Sequence, residues 1–276
     1  MATALSAKQL EIDQRNIAFW DELCGTHSAK RLGVTDNSPE SLRKFDDWYL
    51  DFYPYLREHI PVHELSGKDV LEVGLGYGTV ATELMQRGAN YHGLDIAAGP
   101  VEMAGYRAEL LGKPADIRQG SILDCPFDDQ SFDYVVSIGC LHHTGDLAAA
   151  IRSVYRLLKP GGGATIMVYH SRSYRQWCKQ PIATLRQAIL PEPRHGSTAD
   201  QGMRGAYDKN QAGAAAPETD FVSRGELSRL CRDFRKIEIT PENIGADLVF
   251  KRVSRPTALK YFGPWFGLDL YCRLWK

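Results

Sequence analysis

Beyond residue 68 the chain alternates short apolar runs with longer amphipathic stretches. The apolar runs predict strands at 69–73, 90–94, 116–119, 132–138 and 164–168. The stretches between them have helical periodicity and predict helices at 79–87, 100–111 and 146–158. Two further strands are predicted near the C-terminal end, at 236–240 and 269–275. Strands that alternate with helices indicate a doubly wound α/β fold with a parallel sheet.

The first 65 residues predict a helical lead-in. Its helices fall at 7–20 and 41–59, and the second helix contains six aromatic residues: Phe45, Trp48, Tyr49, Phe52, Tyr53 and Tyr55. This number exceeds what one helix face usually buries. We expect plain packing for these side chains, with a ligand-covering role as the alternative.

Residues 171–222 are less regular. The pattern predicts a helix at 173–190, which Pro181 interrupts or restarts, and then a long loop at 191–217 that is rich in Gly, Ala and polar residues. Loops of that length in compact domains are usually functional or disordered.

Order resumes at Ser223, which has the position of an N-cap with Glu226 as its capping-box partner. An aromatic segment at 261–267 precedes the last strand. We expect it to be a turn packed on the sheet edge, with an interfacial anchor or a dimer contact as the alternative.

These features divide the chain into four parts. They are an N-terminal helical lid or substrate segment at 1–65, a cofactor-binding core at 66–170, a helical and loop insertion at 171–222, and a C-terminal helix and strand pair at 223–276.

Composition and charge exclude several classes of protein. The chain has 276 residues and a formal net charge of −1. Lys and Arg are scattered, so no overall attraction to nucleic acid or an anionic membrane is visible. The six cysteines include no Cys-x-x-Cys pair, which argues against a zinc knuckle or a redox dithiol. Without a visible secretory signal or a run of roughly 18 apolar residues, we expect a cytoplasmic protein with reduced thiols.

A glycine-rich turn follows the first predicted strand, with glycines at Gly74, Gly76 and Gly78. Glycine lets the backbone turn tightly and approach a ligand closely, because no Cβ intervenes. Asp95 ends the second strand, about 20 residues downstream, where a carboxylate can accept hydrogen bonds from a ribose. The pattern therefore predicts a nucleoside-containing cofactor at the carboxyl ends of the strands. Nicotinamide and flavin enzymes prefer a later third glycine, where this chain has Thr79.

With Glu72 two residues before the first glycine, the turn resembles the first motif of class I S-adenosylmethionine-dependent methyltransferases, Glu/Asp-x-Gly-x-Gly-x-Gly. The resemblance continues in order over roughly 68–169. It includes Asp95, a segment similar to the family's adenine-side loop, the segment after strand four and the turn before strand five: 120–133, 137–143 and 158–162. It implies a Rossmann-like, seven-stranded sheet, mostly parallel with an antiparallel C-terminal strand, beneath the helical lid.

The resemblance implies S-adenosylmethionine as cofactor and S-adenosylhomocysteine as product. The implied binding residues are Glu72, Gly74, Gly76, Gly78, Thr79, Asp95, Ile96, Ser121, Ile122, Ile138 and Gly139. Asp95 would accept both ribose hydroxyls, in charge-assisted hydrogen bonds. Glu72 would meet the amino group of the cofactor, and Ile96 and Ile122 would sandwich the adenine. The family often has an acid where this chain has Ser121, so the contact to the adenine amine stays open.

Methyl transfer is an in-line displacement at a sulfonium, so the protein aligns the acceptor and, where needed, removes its proton. The candidate bases are His142 and His143, just past strand four, and Tyr169, at the end of strand five. A structural role is the alternative for each. No spacing of His, Asp or Glu matches a metal site, and we expect no metal.

We therefore expect a methyltransferase that acts on O, N or C of a small-molecule metabolite or natural product. Near-neutral charge and the aromatic N-terminal segment favour a concave apolar pocket over a polyanion groove, so we expect no nucleic-acid partner. The alternatives are non-methylating chemistry with the same cofactor, a non-catalytic partner subunit, and a nucleic-acid or protein methyltransferase. A nicotinamide dehydrogenase ranks last, and a homodimer is left open.

Overall fold

The computed structural model describes residues 5–189, 200–245 and 253–276. The strands are β1 Asp69–Val73, β2 Asn90–Asp95, β3 Ala115–Gln119, β4 Phe132–Ile138, β5 Leu158–His170, β6 Phe221–Val222, β7 Lys236–Glu242 and β8 Asp269–Trp275. The helices are α1 Ala7–Trp20, α2 Thr26–Arg31, α3 Pro39–Phe52, α4 Leu56–His59, α5 Thr79–Gln86, α6 Ala98–Leu111, α7 Leu147–Leu157, α8 Tyr174–Lys179, α9 Pro181–Ile189, α10 Gln201–Arg204, α11 Arg224–Leu230, α12 Arg255–Tyr261 and α13 Gly263–Phe266. Among these, no helix has the length and apolar character needed to cross a bilayer.

The strands form one sheet in the order β3-β2-β1-β4-β5-β8-β7. The first five are parallel, and β8 runs antiparallel between β5 and β7. The predicted doubly wound sheet with an antiparallel C-terminal strand is confirmed. An eighth strand, the two-residue β6, was not predicted; it pairs with the end of β5 at Tyr169 and His170.

Apolar layers cover both faces of the sheet. One layer packs α7 and α11 against it, with Ile151, Val154 and Leu227 among the buried side chains. The other packs α4, α5 and α6 against it, with Leu84 and Ala104 buried. Burial on both faces explains why β1 and β4 are near-continuous apolar runs, as is usual for parallel strands.

The N-terminal helices differ from the predicted pair. Helix α1 has its predicted bounds, and Ser6 caps it by accepting a hydrogen bond from the Gln9 amide. The predicted helix at 41–59 is two helices, α3 and α4. The break follows from Pro54, because a residue before proline, here Tyr53, is disfavoured in the helical region. A short helix that was not predicted, α2, lies between α1 and α3.

In the later segments, too, some predicted elements are present and others differ. The capping box of Ser223 and Glu226 is present at the start of α11, and Pro181 begins α9 as one of the two predicted options. The predicted aromatic turn at 261–267 is wrong, because this segment is helical, with the end of α12 followed by α13. Of the predicted loop at 191–217, residues 191–199 lie outside the described residues, and the rest contains α10.

A buried ion pair fastens α3 to the sheet-covering helices. Arg107 of α6 is 3% exposed and donates two hydrogen bonds to Asp46 of α3, at 2.7 and 3.0 Å. Arg107 also donates to the Thr82 hydroxyl at 2.9 Å, and the Thr79 hydroxyl donates to Asp46 at 2.6 Å. The Asp46 carboxylate therefore joins α3, α5 and α6 at one point.

Replacing Asp46 with alanine should strongly destabilise the protein, because it leaves the Arg107 charge buried without its counter-ion. Removal of one partner from a buried pair typically costs about 3–5 kcal/mol. The measurement is the free energy of unfolding from urea titration. The control is Asp47→Ala, one residue along, where the side chain is exposed. A loss of stability no greater than that of the control would contradict the role of this pair.

Candidate active site

A cleft lies at the carboxyl ends of β1, β2 and β4. This is where α/β sheets bind their ligands. Most of the predicted site residues line it: Gly74, Gly76, Asp95, Ile96, Ser121, Ile122, Ile138, Gly139 and His143. The topology therefore brings together residues from four separate segments of the sequence.

Gly74 shows why the turn after β1 needs glycine. Its φ is +85°, and a Cβ placed on it would lie 2.4 Å from the Cβ of Cys140. Left-handed φ values are unfavourable for other residues, and the Cys140 contact leaves no room for a side chain. The backbone of the turn consequently borders the cleft directly.

Asp95 lies at the end of β2 with little exposed surface. Its Oδ2 accepts a hydrogen bond from the Leu75 amide at 2.8 Å, and its Oδ1 accepts one from the Ala97 amide at 3.0 Å. These bonds fix the carboxylate, and each oxygen keeps a further lone pair for a ligand. Burial raises the pKa of this carboxyl above its usual value, against the opposing effect of the backbone amides.

Glu72 lies behind the cleft and is not among its lining residues. It is buried in the sheet and accepts a hydrogen bond from the Tyr91 hydroxyl at 2.7 Å. Burial raises its pKa to about 8, so the carboxyl is largely protonated at neutral pH. A neutral, enclosed carboxyl does not favour the predicted contact with the amino group of the cofactor, and that role stays a prediction.

Gly78 and Thr79 also lie outside the cleft lining. A Cβ on Gly78 would fall 2.6 Å from Cδ of Arg107, so glycine here makes room for the buried ion pair. The Thr79 hydroxyl donates to Asp46 of the same pair. Both residues support the turn from behind, and their predicted cofactor contacts stay predictions.

Helix α1 contributes two residues that the sequence did not single out, Asp13 and Asn16. Asp13 is buried and accepts a hydrogen bond from the Gln9 side chain at 2.8 Å. The Asn16 side-chain amide donates to the His143 carbonyl at 2.8 Å, and its Oδ1 is buried without a hydrogen-bond partner. The signal was available, since positions 9, 13 and 16 place polar residues on one face of a helix.

Asp13 lies close to Ser121. Burial raises the pKa of Asp13, while hydrogen bonds from the Gln9 side chain and the Ser121 hydroxyl lower it. The Ser121 hydroxyl also accepts from the Leu123 amide at 3.3 Å and so caps its own turn. A carboxylate is therefore present beside Ser121, although it comes from α1.

A second, larger cleft adjoins the first. Aromatic residues of α3 form part of its wall, together with polar side chains from later segments: Trp48, Tyr49, Phe52, Tyr53, Tyr169, Arg175, Tyr207, Asp208 and Asp269. Both clefts share Trp20, Cys24, Ile138 and Gly139. Five of the six predicted aromatics therefore border this cleft, and one of them, Phe45, also packs in a buried cluster.

His143 and Asp208 meet where the two clefts adjoin. His143 lines the first cleft and Asp208 the second, with 3.5 Å between Nε2 and Oδ2. His143 Nδ1 lies 2.7 Å from the Glu218 carbonyl, which assigns the neutral-ring proton to Nδ1 and leaves Nε2 as an acceptor. Burial lowers the pKa of His143 and raises that of Asp208, and the proximity of the two groups opposes both shifts.

Tyr169 donates its hydroxyl proton to Asp208, at 2.9 and 3.1 Å from the two carboxylate oxygens. Burial holds the pKa of Tyr169 well above its usual value, so it keeps this proton at neutral pH. His142 is fully buried, lines neither cleft and packs its ring 4.1 Å from that of Tyr169. Burial holds its pKa well below the usual value. Base roles for Tyr169 and His142 stay predictions that this geometry does not favour.

Within the described ranges, no group of three His, Cys, Asp or Glu side chains is arranged to hold a metal ion. The six cysteines form no disulfide with one another.

Comparison with known proteins identifies the class of this fold and site. Residues 71–166 match the family model described as a methyltransferase domain. This match, together with the fold, implies S-adenosylmethionine as the cofactor. The predicted family and cofactor are confirmed.

Curated relatives carry the name ubiquinone biosynthesis O-methyltransferase. The chain is 36% identical over 99 residues to the one from Pseudomonas aeruginosa strain UCBPP-PA14, covering 36% of this chain and 43% of the relative. It is 31% identical over 140 residues to the one from Vibrio vulnificus strain YJ016, covering 45% of this chain and 60% of the relative. The chain thus spans less than two thirds of the length of these relatives.

Solved structures share the fold at low identity. A putative S-adenosylmethionine-dependent methyltransferase from Listeria monocytogenes aligns with a TM-score of 0.57 and 17% identity, covering 82% of this chain and 96% of the other. A methyltransferase from Thermotoga maritima, described as a possible histamine N-methyltransferase, aligns with a TM-score of 0.54 and 19% identity, covering 85% and 95%.

Replacing Asp95 with alanine should weaken S-adenosylmethionine binding by about 1.5–3 kcal/mol, the usual range for hydrogen bonds to a charged group. Calorimetry gives the affinity. Asp124→Ala is the matched control, because Asp124 is exposed and does not line the cleft. Asp95→Asn separates charge from shape, since it keeps the side-chain volume. An affinity equal to that of the control would sink the assignment of Asp95.

The buried Glu72 should give the protein a pH-dependent stability. Its pKa rises from 4.5 to about 8 on folding, so between these values the folded state binds more protons than the unfolded state. The free energy of unfolding should therefore fall as pH rises through this range. Glu72→Gln should reduce that slope, whereas Glu64→Gln, at an exposed site, should not. Equal slopes in both variants would show that Glu72 titrates normally.

Proposed function

We propose that this chain transfers the methyl group of S-adenosylmethionine to a hydroxyl oxygen of a small molecule. The observation that carries the proposal is the His143–Asp208 pair at the junction of the two clefts. An oxygen acceptor becomes a much better nucleophile when it loses its proton. The O-methyltransferase names of the curated relatives support the same choice of acceptor atom.

The first cleft fits the cofactor. The turn at Gly74 lets the backbone border the cleft where a Cβ would collide with Cys140, and Asn16 has a buried acceptor without a partner beside it. We propose that Asp95 accepts hydrogen bonds from the ribose hydroxyls. Ile96 and Ile122 would flank the adenine.

The family often has an acid at the position of Ser121, and Asp13 supplies a carboxylate beside that position. It lines the same cleft, lies near the Ser121 hydroxyl and is held by Gln9. We propose that its carboxylate accepts a hydrogen bond from the adenine amine, next to Ser121. The adenine contact then comes partly from α1, outside the family-matched segment.

The second cleft suits an aromatic acceptor. Its α3 wall offers ring faces, and aromatic pairs add about 0.5–1.5 kcal/mol beyond area burial. S-adenosylmethionine, when bound, supplies an electrophilic methyl group. Ile138 and Gly139 form the shared wall between the clefts, so an acceptor in the second cleft lies next to a cofactor in the first.

The proton of the acceptor has a defined destination. Nε2 of His143 takes it, because Nδ1 already carries its own proton toward the Glu218 carbonyl. The resulting imidazolium lies 3.5 Å from the Asp208 carboxylate, which stabilises it electrostatically. Tyr169 positions Asp208 through a bifurcated hydrogen bond from its hydroxyl to both carboxylate oxygens.

In this proposal the N-terminal helices α1 and α3 cover the site. Helix α1 lines the first cleft and α3 the second. An open second cleft argues against a non-catalytic partner subunit, for which a closed acceptor pocket is expected.

His143→Gln should lower turnover by about 100-fold or more, the usual scale of general-base catalysis, and leave S-adenosylmethionine affinity unchanged. Asp208→Asn should also lower turnover. Radiolabelled methyl transfer to a panel of catechols and other phenols measures turnover, and calorimetry measures cofactor affinity. His63→Gln, at an exposed site, is the control. Parallel loss of turnover and cofactor affinity in His143→Gln would point to a structural role instead.

A further inference from the structure

Two adjoining short helices, α12 and α13, present large aromatic side chains to solvent. Trp265 is 71% exposed, and three neighbours are also exposed: Tyr261, Phe262 and Phe266. The backbone beneath them is well fixed, because Ser254 caps α12 and Gly267 lies against the Glu242 backbone of β7. The segment therefore packs on β7, the edge strand of the sheet, as expected, but these aromatic side chains face solvent.

Helix α9 exposes aliphatic side chains along one face. Ile182 is 83% exposed, and Leu185 and Ile189 are exposed as well. Their spacing places them on the same side of the helix. One residue separates α9 from α8, and Tyr174 of α8 shares a buried apolar cluster with Ala258 of α12. The two apolar regions are thus linked through this cluster.

The same helices are basic. Segments 172–189 and 254–267 contain six basic residues and no acidic one, in a chain whose net charge is −1. Lys179, Arg186 and Lys260 are exposed. The scattered charge of the whole sequence conceals this local excess, because it becomes apparent only when α8, α9, α12 and α13 are taken together.

We propose that α9, α12 and α13, with these three exposed basic residues, bind the surface of an anionic lipid bilayer. We call this region the aromatic–basic surface. Trp and Tyr favour the headgroup level of a bilayer, where an amphipathic ring meets both water and hydrocarbon. Basic side chains next to such a surface are attracted to anionic lipids.

Charge favours a bilayer over a second copy of this chain. A two-fold dimer through the aromatic–basic surface would place the same patch on both subunits. Lys179, Arg186 and Lys260 would then face like charges, which opposes association. An anionic membrane offers the complementary charge together with an apolar layer for Trp265 and Phe266.

The second cleft opens beside this surface. Leu268 and Asp269 follow α13 after Gly267, and both line that cleft. Asn243 and Gly245, which precede α12 in the chain, line it too. Docking through the aromatic–basic surface would hold the cleft near the lipid headgroups.

Vesicle co-sedimentation of the full chain tests the proposal. The probes are vesicles of phosphatidylcholine alone and vesicles with about 30% phosphatidylglycerol, an anionic lipid. The wild-type chain should pellet with the anionic vesicles and much less with the neutral ones. Trp265→Ser combined with Phe266→Ser should weaken the partition on the order of tenfold, because two large apolar side chains no longer leave water.

Charge is tested separately with Arg186→Glu and Lys260→Glu, each of which should weaken binding to anionic vesicles by about fivefold or more. Raising the ionic strength should have the same effect on the wild type, since salt screens exposed charges. The matched control is Tyr106→Ser combined with Leu110→Ser. These exposed apolar residues lie on α6, at the other end of the sheet, and their loss should not change binding.

Unchanged S-adenosylmethionine affinity shows that each variant is folded, and this readout does not depend on the acceptor. The proposal is overturned if the wild type stays in the supernatant with anionic vesicles, or if the Trp265/Phe266 variant pellets like the wild type. It is also overturned if analytical ultracentrifugation shows a dimer that this variant abolishes, without any vesicle binding.

Discussion

The buried pair of Arg107 and Asp46 is the interaction on which the arrangement of both clefts depends. It occupies the space that a side chain at Gly78 would need, and it holds Thr79 at the start of α5. The same pair anchors α3, whose aromatic face walls the second cleft. The buried guanidinium of Arg107 therefore connects the glycine turn to α3, which forms a wall of the second cleft.

The local part of the site could be predicted from sequence, because its signals are contiguous. The turn at Gly74, the acid at Asp95 and the strands around them follow from short patterns that few folds share. Gly78 shows the limit of this reasoning. A glycine required for backbone approach to a ligand and a glycine required to admit Arg107 look the same in a sequence, and only packing separates them.

The residues that sequence reasoning missed come from distant segments. Asp13 and Asn16 reach the cleft from α1, and Asp208 reaches it from the insertion, so no local spacing connects them to β4. The sequence also could not tell which of the adjacent residues His142 and His143 is the better candidate base. One ring is enclosed beside Tyr169 while the other borders a cleft, a difference set by the segment around Glu218, far away in the chain.

Helix α1 is fastened across the cofactor cleft by side-chain to backbone hydrogen bonds: Gln9 to Thr144, Asn16 to His143 and Asp21 to Gly99. Because α1 also lines that cleft, a cofactor that enters or leaves past it must first break these bonds. Helix α1 thus closes one side of the cofactor cleft by contacts that are independent of the sheet, so the rim of the cleft can open while its floor stays intact.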